Sequence, residues 1–191
     1  MPPACPAWFF GYGSLVNRDT HGFSEAHPAR LRGWRRTWRH TDLREVAYLT
    51  VVPDAQGHID GLIAPVPDAD WQALDLREGA YARRDAAHQV EHRLPHRPRI
   101  ALYAIPAESH ARPARPNILL LSYIDVVAQG YLREFGEAGA MRFFATTDGW
   151  DTPVLDDRHA PRYARHCRLT RDETALVDDA LRGLGVRPRG A

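Results

Sequence analysis

Ala7-Trp8-Phe9-Phe10-Gly11-Tyr12-Gly13-Ser14-Leu15 is an apolar, aromatic run that empties into two glycines set two apart. Its first four residues read as a buried strand opening directly into a glycine loop. Glycines in such a place allow torsions that a Cβ forbids and let a ligand approach the main chain closely. Successive backbone N–H groups in the turn then form a nest for a carboxylate or an oxyanion. Taken alone, Gly-x-Gly is also an ordinary tight turn around a buried Tyr12. It is not a dinucleotide fingerprint, because the third glycine and the following helix start are missing.

Outward from this run, residues 30–41 alternate large apolar and charged side chains, as a half-buried strand does. Residues 47–52 are a β-branched run, 53–57 (Pro-Asp-Ala-Gln-Gly) a turn, and 59–66 a further strand, which together predict a hairpin. A short helix is expected over 68–78, from Asp68 to Glu78, carrying Trp71, Leu74 and Leu76. Residues 82–94 and 99–105 read as strands, and 110–116 as a Pro- and Arg-rich surface loop. The longest helical pattern runs over 119–135, with Ile124, Val127, Tyr131 and Phe135 at helical spacing, and residues 136–139 break it. A Pro- and charge-rich stretch covers 151–163. A last helix is expected over 172–184, stopped by Gly185. Early strands followed by helices predict an α+β fold with one mixed, barrel-like sheet, as a single domain over residues 1–191.

Composition narrows the function classes. Lys+Arg 25 against Asp+Glu 24 leaves a net charge of +1, so no global field recruits nucleic acid or an anionic membrane. All the fixed cations are arginine, which a genomic base-composition bias explains. Cys5 and Cys167 do not make a disulfide framework, which suits a reducing compartment. Residues 1–6 lack the features of a signal peptide, and no apolar run nears the ~20 residues that cross a bilayer. The expected location is the cytoplasm.

Several side chains could carry chemistry. Glu78 stands just before Gly79, among apolar residues and Tyr81. Partial desolvation there would raise its pKa above the reference value of ~4.3 and make it a proton shuttle. The plainer alternative is a solvated carboxylate paired with Arg77 or Arg83. His88, His92 and His96 are spaced by four, but Pro95 and Pro98 break any helix that would align them on a metal, so they read as surface histidines. The arginines of 30–39, interleaved with Trp34 and Trp38, could contact nucleic acid by stacking and phosphate pairing; at this net charge a strand with one solvated face is preferred. Cys167 beside His166 shows no base-and-orienter arrangement.

In combination and in order, these stretches resemble the γ-glutamylcyclotransferase-like superfamily, in its ChaC-like or AIG2-like branch. Residues 10–15 resemble its substrate loop, and Arg32-Gly33-Trp34-Arg35-Arg36-Thr37-Trp38 the strand that follows. Leu74-Asp75-Leu76-Arg77-Glu78 with Tyr81 is similar to the segment bearing the family's one catalytic glutamate. Ser122-Tyr123-Ile124-Asp125-Val126-Val127 with Gly130 resembles the helix that closes the pocket. The resemblance covers roughly residues 8–167, leaving a C-terminal helix and tail over 168–191 unmatched. It implies a small mixed β-barrel with flanking helices, and the release of 5-oxoproline from a γ-glutamyl compound, glutathione first. It implies Glu78 as general acid and base, and Gly11, Tyr12, Gly13, Ser14, Leu15, Tyr81 and Tyr123 as substrate-binding residues. No metal or cofactor is implied, and the only expected partner is the small substrate. The His- and Arg-rich segment between Arg83 and Ile118 is expected to border the leaving-group side. A non-catalytic binding protein for a small anion is the alternative, recognisable by a Glu78 that is exposed or paired with Arg77.

Overall fold

The computed structural model of the chain describes residues 7–23, 25–66, 70–111 and 116–190; residues 1–6 with Cys5, the expected helix start at Asp68, and residues 112–115 of the Pro/Arg loop lie outside them. In chain order the elements are β1 (Ala7–Gly11), β2 (His27–Arg39), β3 (Tyr48–Pro65), α1 (Trp71–Arg77), β4 (Ala82–Asp85), β5 (Val90–His92), β6 (Arg99–Ala104), β7 (Leu119–Leu120), α2 (Leu121–Ala145), β8 (Thr147–Asp148), β9 (Val154–Asp156), α3 (Arg171–Gly183) and β10 (Arg189–Gly190).

The aromatic run occupies the middle of the main sheet. β1 is buried at every position, pairs antiparallel with β3 on one edge and runs parallel to β6 on the other. An all-apolar strand without a polar face is stable only where both faces are covered. Phe9, Phe10, Ile63 and Leu102 are at most 2% exposed, and each such side chain contributes about 1.5–3 kcal/mol by leaving water. The seven-stranded sheet follows the order β4-β6-β1-β3-β2-β5, with β8 beside β2. It is mixed and flanked by helices, as expected for the class. Its path ends on β4 at one side and β5 at the other, so among the described residues the barrel is open.

Two expectations change. The turn over 53–57 does not reverse the chain: β3 runs straight through it, and the antiparallel partner on both sides is β2. Trp34 faces Pro53 and Arg32 faces His58, so Gly33 alone stands opposite residues 54–57. The turn chemistry is present, since Asp54 Oδ1 accepts from the Gln56 N–H, and it makes a wide bulge instead. Residues 82–94 divide into β4 and β5, which pair with β6 and β2 respectively. The break expected over 136–139 is present at Gly136, where the backbone leaves the helical region (φ +67°, ψ −175°). The helix resumes beyond it and runs to Ala145 because Ala140, Phe143 and Phe144 drive the second half into the core.

α3 begins on a complete capping box of Thr170 and Glu173, and Gly185 (φ +74°) follows it as the expected stop. Val177 and Leu181 join the same core as β1 and α2, so the segment beyond residue 167 is packed onto the domain.

Candidate active site

Beyond Gly11 the chain turns through a 3-10 turn at Ser14–Val16, closed by the Val16 and Asn17 N–H groups on the Gly13 and Ser14 carbonyls. Helix α2 grips this turn. Asn17 Nδ2 donates to the Val126 carbonyl and to Gln129 Oε1, both at 3.0 Å. The Tyr131 hydroxyl stands 3.0 Å from the Tyr12 carbonyl oxygen and 2.7 Å from that of Asp60. Arg36, 1% exposed, donates to the same hydroxyl and to Thr146 and Thr147, with Tyr131 and Phe143 under its guanidinium. A buried cation is tolerable only with its donors satisfied, and here that requirement binds β2, α2 and the loop together.

Space, rather than torsion, requires the loop glycines: neither Gly11 nor Gly13 has a positive φ. A Cβ on Gly11 would lie 2.7 Å from Leu15 Cβ, and one on Gly13 would lie 2.7 Å from the Tyr123 hydroxyl. That hydroxyl rests against the turn, where a hydrogen bond with the Ser14 backbone partly offsets the burial that raises its pKa. The expected anion nest thus has a neutral tyrosine hydroxyl packed against it.

Glu78 caps the C-terminus of α1, its N–H bonded to the Leu74 carbonyl at 3.0 Å. The Tyr81 N–H returns to the Glu78 carbonyl at 2.6 Å, and this tight turn directs Tyr81 back toward β3, where its hydroxyl donates to the Leu49 carbonyl at 2.8 Å. The Glu78 side chain is 19% exposed and 3.3 Å from Arg77 Nε. Burial pushes its pKa up, while Arg77, Arg165 and Arg44 hold the rise back. Both features that the sequence set against each other are present: a desolvated carboxylate and a contact with Arg77.

Two connected spaces meet at this carboxylate. An inner recess of about 40 Å³ is lined by residues 10–15 with Glu78, Tyr81, Tyr103 and Tyr123. An outer cleft of about 460 Å³ shares Ser14, Glu78, Tyr81 and Tyr123 with it. All the expected site residues thus converge. Tyr12 is buried in the wall of the recess, its hydroxyl donated to the Tyr103 carbonyl. Burial raises the pKa of Tyr12, Tyr81 and Tyr123 alike, which keeps them neutral hydrogen-bonding groups.

The outer wall differs from the expectation. Among the described residues between Arg83 and Ile118, Tyr103 alone reaches either space. The cleft is built instead by Arg44 and residues 46–49, by 77–81 and by Arg162, Tyr163 and Arg165. Asp157 puts the last three there: its carboxylate accepts from the Ser122 N–H and hydroxyl and from the Arg162 N–H. Tyr163 then meets Tyr123 edge-on at 4.9 Å. Nothing local in the sequence around residue 162 marks this role; the Asp157–Ser122 pairing across 35 positions creates it.

The other candidates fall elsewhere. His88 and His96 are exposed and His92 half-buried, and no group of three or more His, Cys, Asp or Glu among the described residues is placed to hold a metal. Trp34 and Trp38 are core residues, and Arg30, Arg32 and Arg35 are paired with Asp60, Glu91 and Asp148, which leaves neither indole to stack on a base. Burial pushes the Cys167 thiol up to about 11, the opposite of an activated nucleophile. No helix among the described residues is long and apolar enough to cross a membrane.

Comparison with known proteins places this geometry. A family model described as Gamma-glutamyl cyclotransferase, AIG2-like matches residues 9–119, more than half of the chain. No curated protein matches the sequence. Among solved structures, a protein titled Gamma-glutamyl cyclotransferase superposes with a TM-score of 0.56 at 12% identity, over 90% of this chain and 98% of that one. An uncharacterised protein from Homo sapiens gives the same score and identity over 90% and 97%. YkqA from Bacillus subtilis gives a TM-score of 0.55 at 19% identity, over 75% of this chain, which spans 56% of the length of that protein. At these identities the likeness is one of fold.

Proposed function

Because the chain belongs to the gamma-glutamyl cyclotransferase, AIG2-like family, we propose that it releases 5-oxoproline from a γ-glutamyl compound, glutathione being the first substrate to try. The observation that carries this reading is Glu78, desolvated at the junction of a small recess under the Gly11–Leu15 turn and a larger cleft.

The reaction is an internal displacement. The α-amine nitrogen of the γ-glutamyl group attacks its own γ-carbonyl carbon, a C–N bond closes the five-membered ring, and the bond to the leaving nitrogen breaks. Two protons leave the α-nitrogen and two arrive on the leaving nitrogen, so the exchange is proton-neutral and Glu78 ends as it began. No second reactant is needed, so holding a near-attack conformer supplies much of the rate. Ionised Glu78 takes a proton from the α-ammonium and, as the acid, delivers it to the leaving group. The Tyr123 hydroxyl and the backbone N–H groups of the turn face the developing oxyanion or the substrate carboxylate; one such donor contributes about 3–4 kcal/mol.

A pH profile follows. The base form of Glu78 must be present, and burial raises its pKa above 4.5. The kcat/KM for 5-oxoproline release is therefore expected to rise with pH along a limb set by a carboxylate titrating above that value. A flat acid side would remove Glu78 as the base.

The Arg77 contact at 3.3 Å favours a second reading, a binding protein that holds a γ-glutamyl or other small anion without turnover. Screening the chain for 5-oxoproline release against glutathione, γ-glutamyl amino acids and γ-glutamyl amines separates the two. Release from any one supports the enzyme; saturable binding with no product from all of them supports the binder.

A further inference from the structure

The outer cleft concentrates positive charge. Arg44, Arg77, Arg162 and Arg165 line it, against Glu78 as the one acidic residue of the wall among the described residues, in a chain whose net charge is only +1. The four are committed to different degrees. Arg77 reaches Glu78. Arg44 lies 3.5 Å over the Tyr48 ring and donates to the Val46 and Ala47 carbonyls. Arg162 has a 3.7 Å contact with Glu45, whose side chain is 87% exposed, and a solvated pair of that kind holds it weakly. Arg165 makes no ion pair among the described residues. Its charge is felt across the cleft, where it lowers the pKa of Arg77 and stabilises ionised Glu78. Facing guanidinium groups repel one another in a partly desolvated wall, and a bound anion relieves that repulsion.

Both weakly held cations belong to the segment that Asp157 ties to the start of α2, and that segment lies outside the residues matched by the family model.

We infer that the leaving half of the γ-glutamyl substrate is itself an anion, with its carboxylate taken by Arg165 and Arg162. This deepens the cyclotransferase reading and rests on it. Guanidinium forks match a carboxylate with two parallel hydrogen bonds. γ-Glutamyl peptides with an acidic second residue fit best, those with one terminal carboxylate next, and γ-glutamyl amines, whose leaving half is neutral or cationic, least.

Titrating the Glu78→Gln chain by calorimetry with γ-glutamylglutamate and with γ-glutamylmethylamide tests this in the absence of turnover. The acidic ligand is expected to bind about 10- to 100-fold more tightly, as one charged hydrogen-bonded pair contributes. Adding Arg165→Gln is expected to remove most of that gap, with the methylamide shifting by no more than about twofold, and Arg165→Lys to restore part of it. Arg165 is exposed, so these changes leave the fold intact. Equal binding of the two ligands, binding of neither, or a gap that survives Arg165→Gln would overturn the inference. Release of 5-oxoproline by the unaltered chain is scored separately. A preference for the acidic ligand without release would sink the cyclotransferase reading and leave the anion site standing.

Discussion

Glu78→Gln is expected to lower kcat for 5-oxoproline release by about 10²- to 10⁴-fold, the usual contribution of a positioned acid–base group. KM should change little, because Gln keeps the shape and loses only the proton transfer, so kcat and kcat/KM should fall together. The acid limb of the pH profile should vanish with it. Stability should move the other way. Burial raises the Glu78 pKa, so the fold prefers the protonated carboxyl. The stability which that form contributes is complete below the unfolded-state pKa and is lost as pH rises through the folded-state pKa. At neutral pH the ionised carboxylate is thus a cost, and a neutral near-isostere removes it. The variant should melt at or above the temperature of the parent chain in a calorimetric scan at pH 7. A residual rate within about tenfold of the parent would mean that another group moves the proton; a lower melting temperature would mean that the Arg77 contact outweighs burial.

The second large effect is structural. A Cβ on Gly130 would stand 2.6 Å from the Asn17 backbone nitrogen and 2.9 Å from its Cα. Those atoms are main chain, held in the turn by the Asn17 bonds to α2, and cannot swing aside as a flexible side chain would. Gly130→Ala is therefore expected to destabilise the domain by about 2 kcal/mol, the range of a core overpacking, and to lower Tm by about 4–8 °C. Activity should fall as well, because the same displacement moves Tyr123 away from the Gly13–Ser14 turn. An unchanged Tm would show that the helix and the turn are not in rigid contact there.

That Ala7–Phe10 forms a buried strand could be read in advance because it has no polar side chain to show to water; its place between β3 and β6 came from the fold. The bulge at 53–57 could not be read in that way. Pro-Asp-Ala-Gln-Gly is turn chemistry, and whether it reverses the chain or only buckles it depends on which partner the flanking strands find. β2, with 13 residues, offered a longer ladder than the chain folding back on itself. Gly136 followed the same rule: the glycine kinks the helix as its local preference demands, and Phe143 and Phe144 restart it because the core has room for them.

The opening turn and the carboxylate were written into the order of the residues. The apolar run of β1 made residues 11–15 a turn at the end of a buried strand, and Glu78 with Tyr81 stood at a helix end flanked by apolar side chains. These are local properties, set by which residues are neighbours in the chain. Tertiary structure alone decided the rest. Tyr123 packs its hydroxyl against the Gly13–Ser14 turn, Arg36 fastens Tyr12 through Tyr131, and Asp157 swings Arg162 and Arg165 over the cleft. Each depends on a hydrogen bond between residues 35 to 119 positions apart. A contact of that span leaves no periodicity or spacing in the chain, because it exists only once the loop entropy between its ends has been overcome by the packing of everything around it.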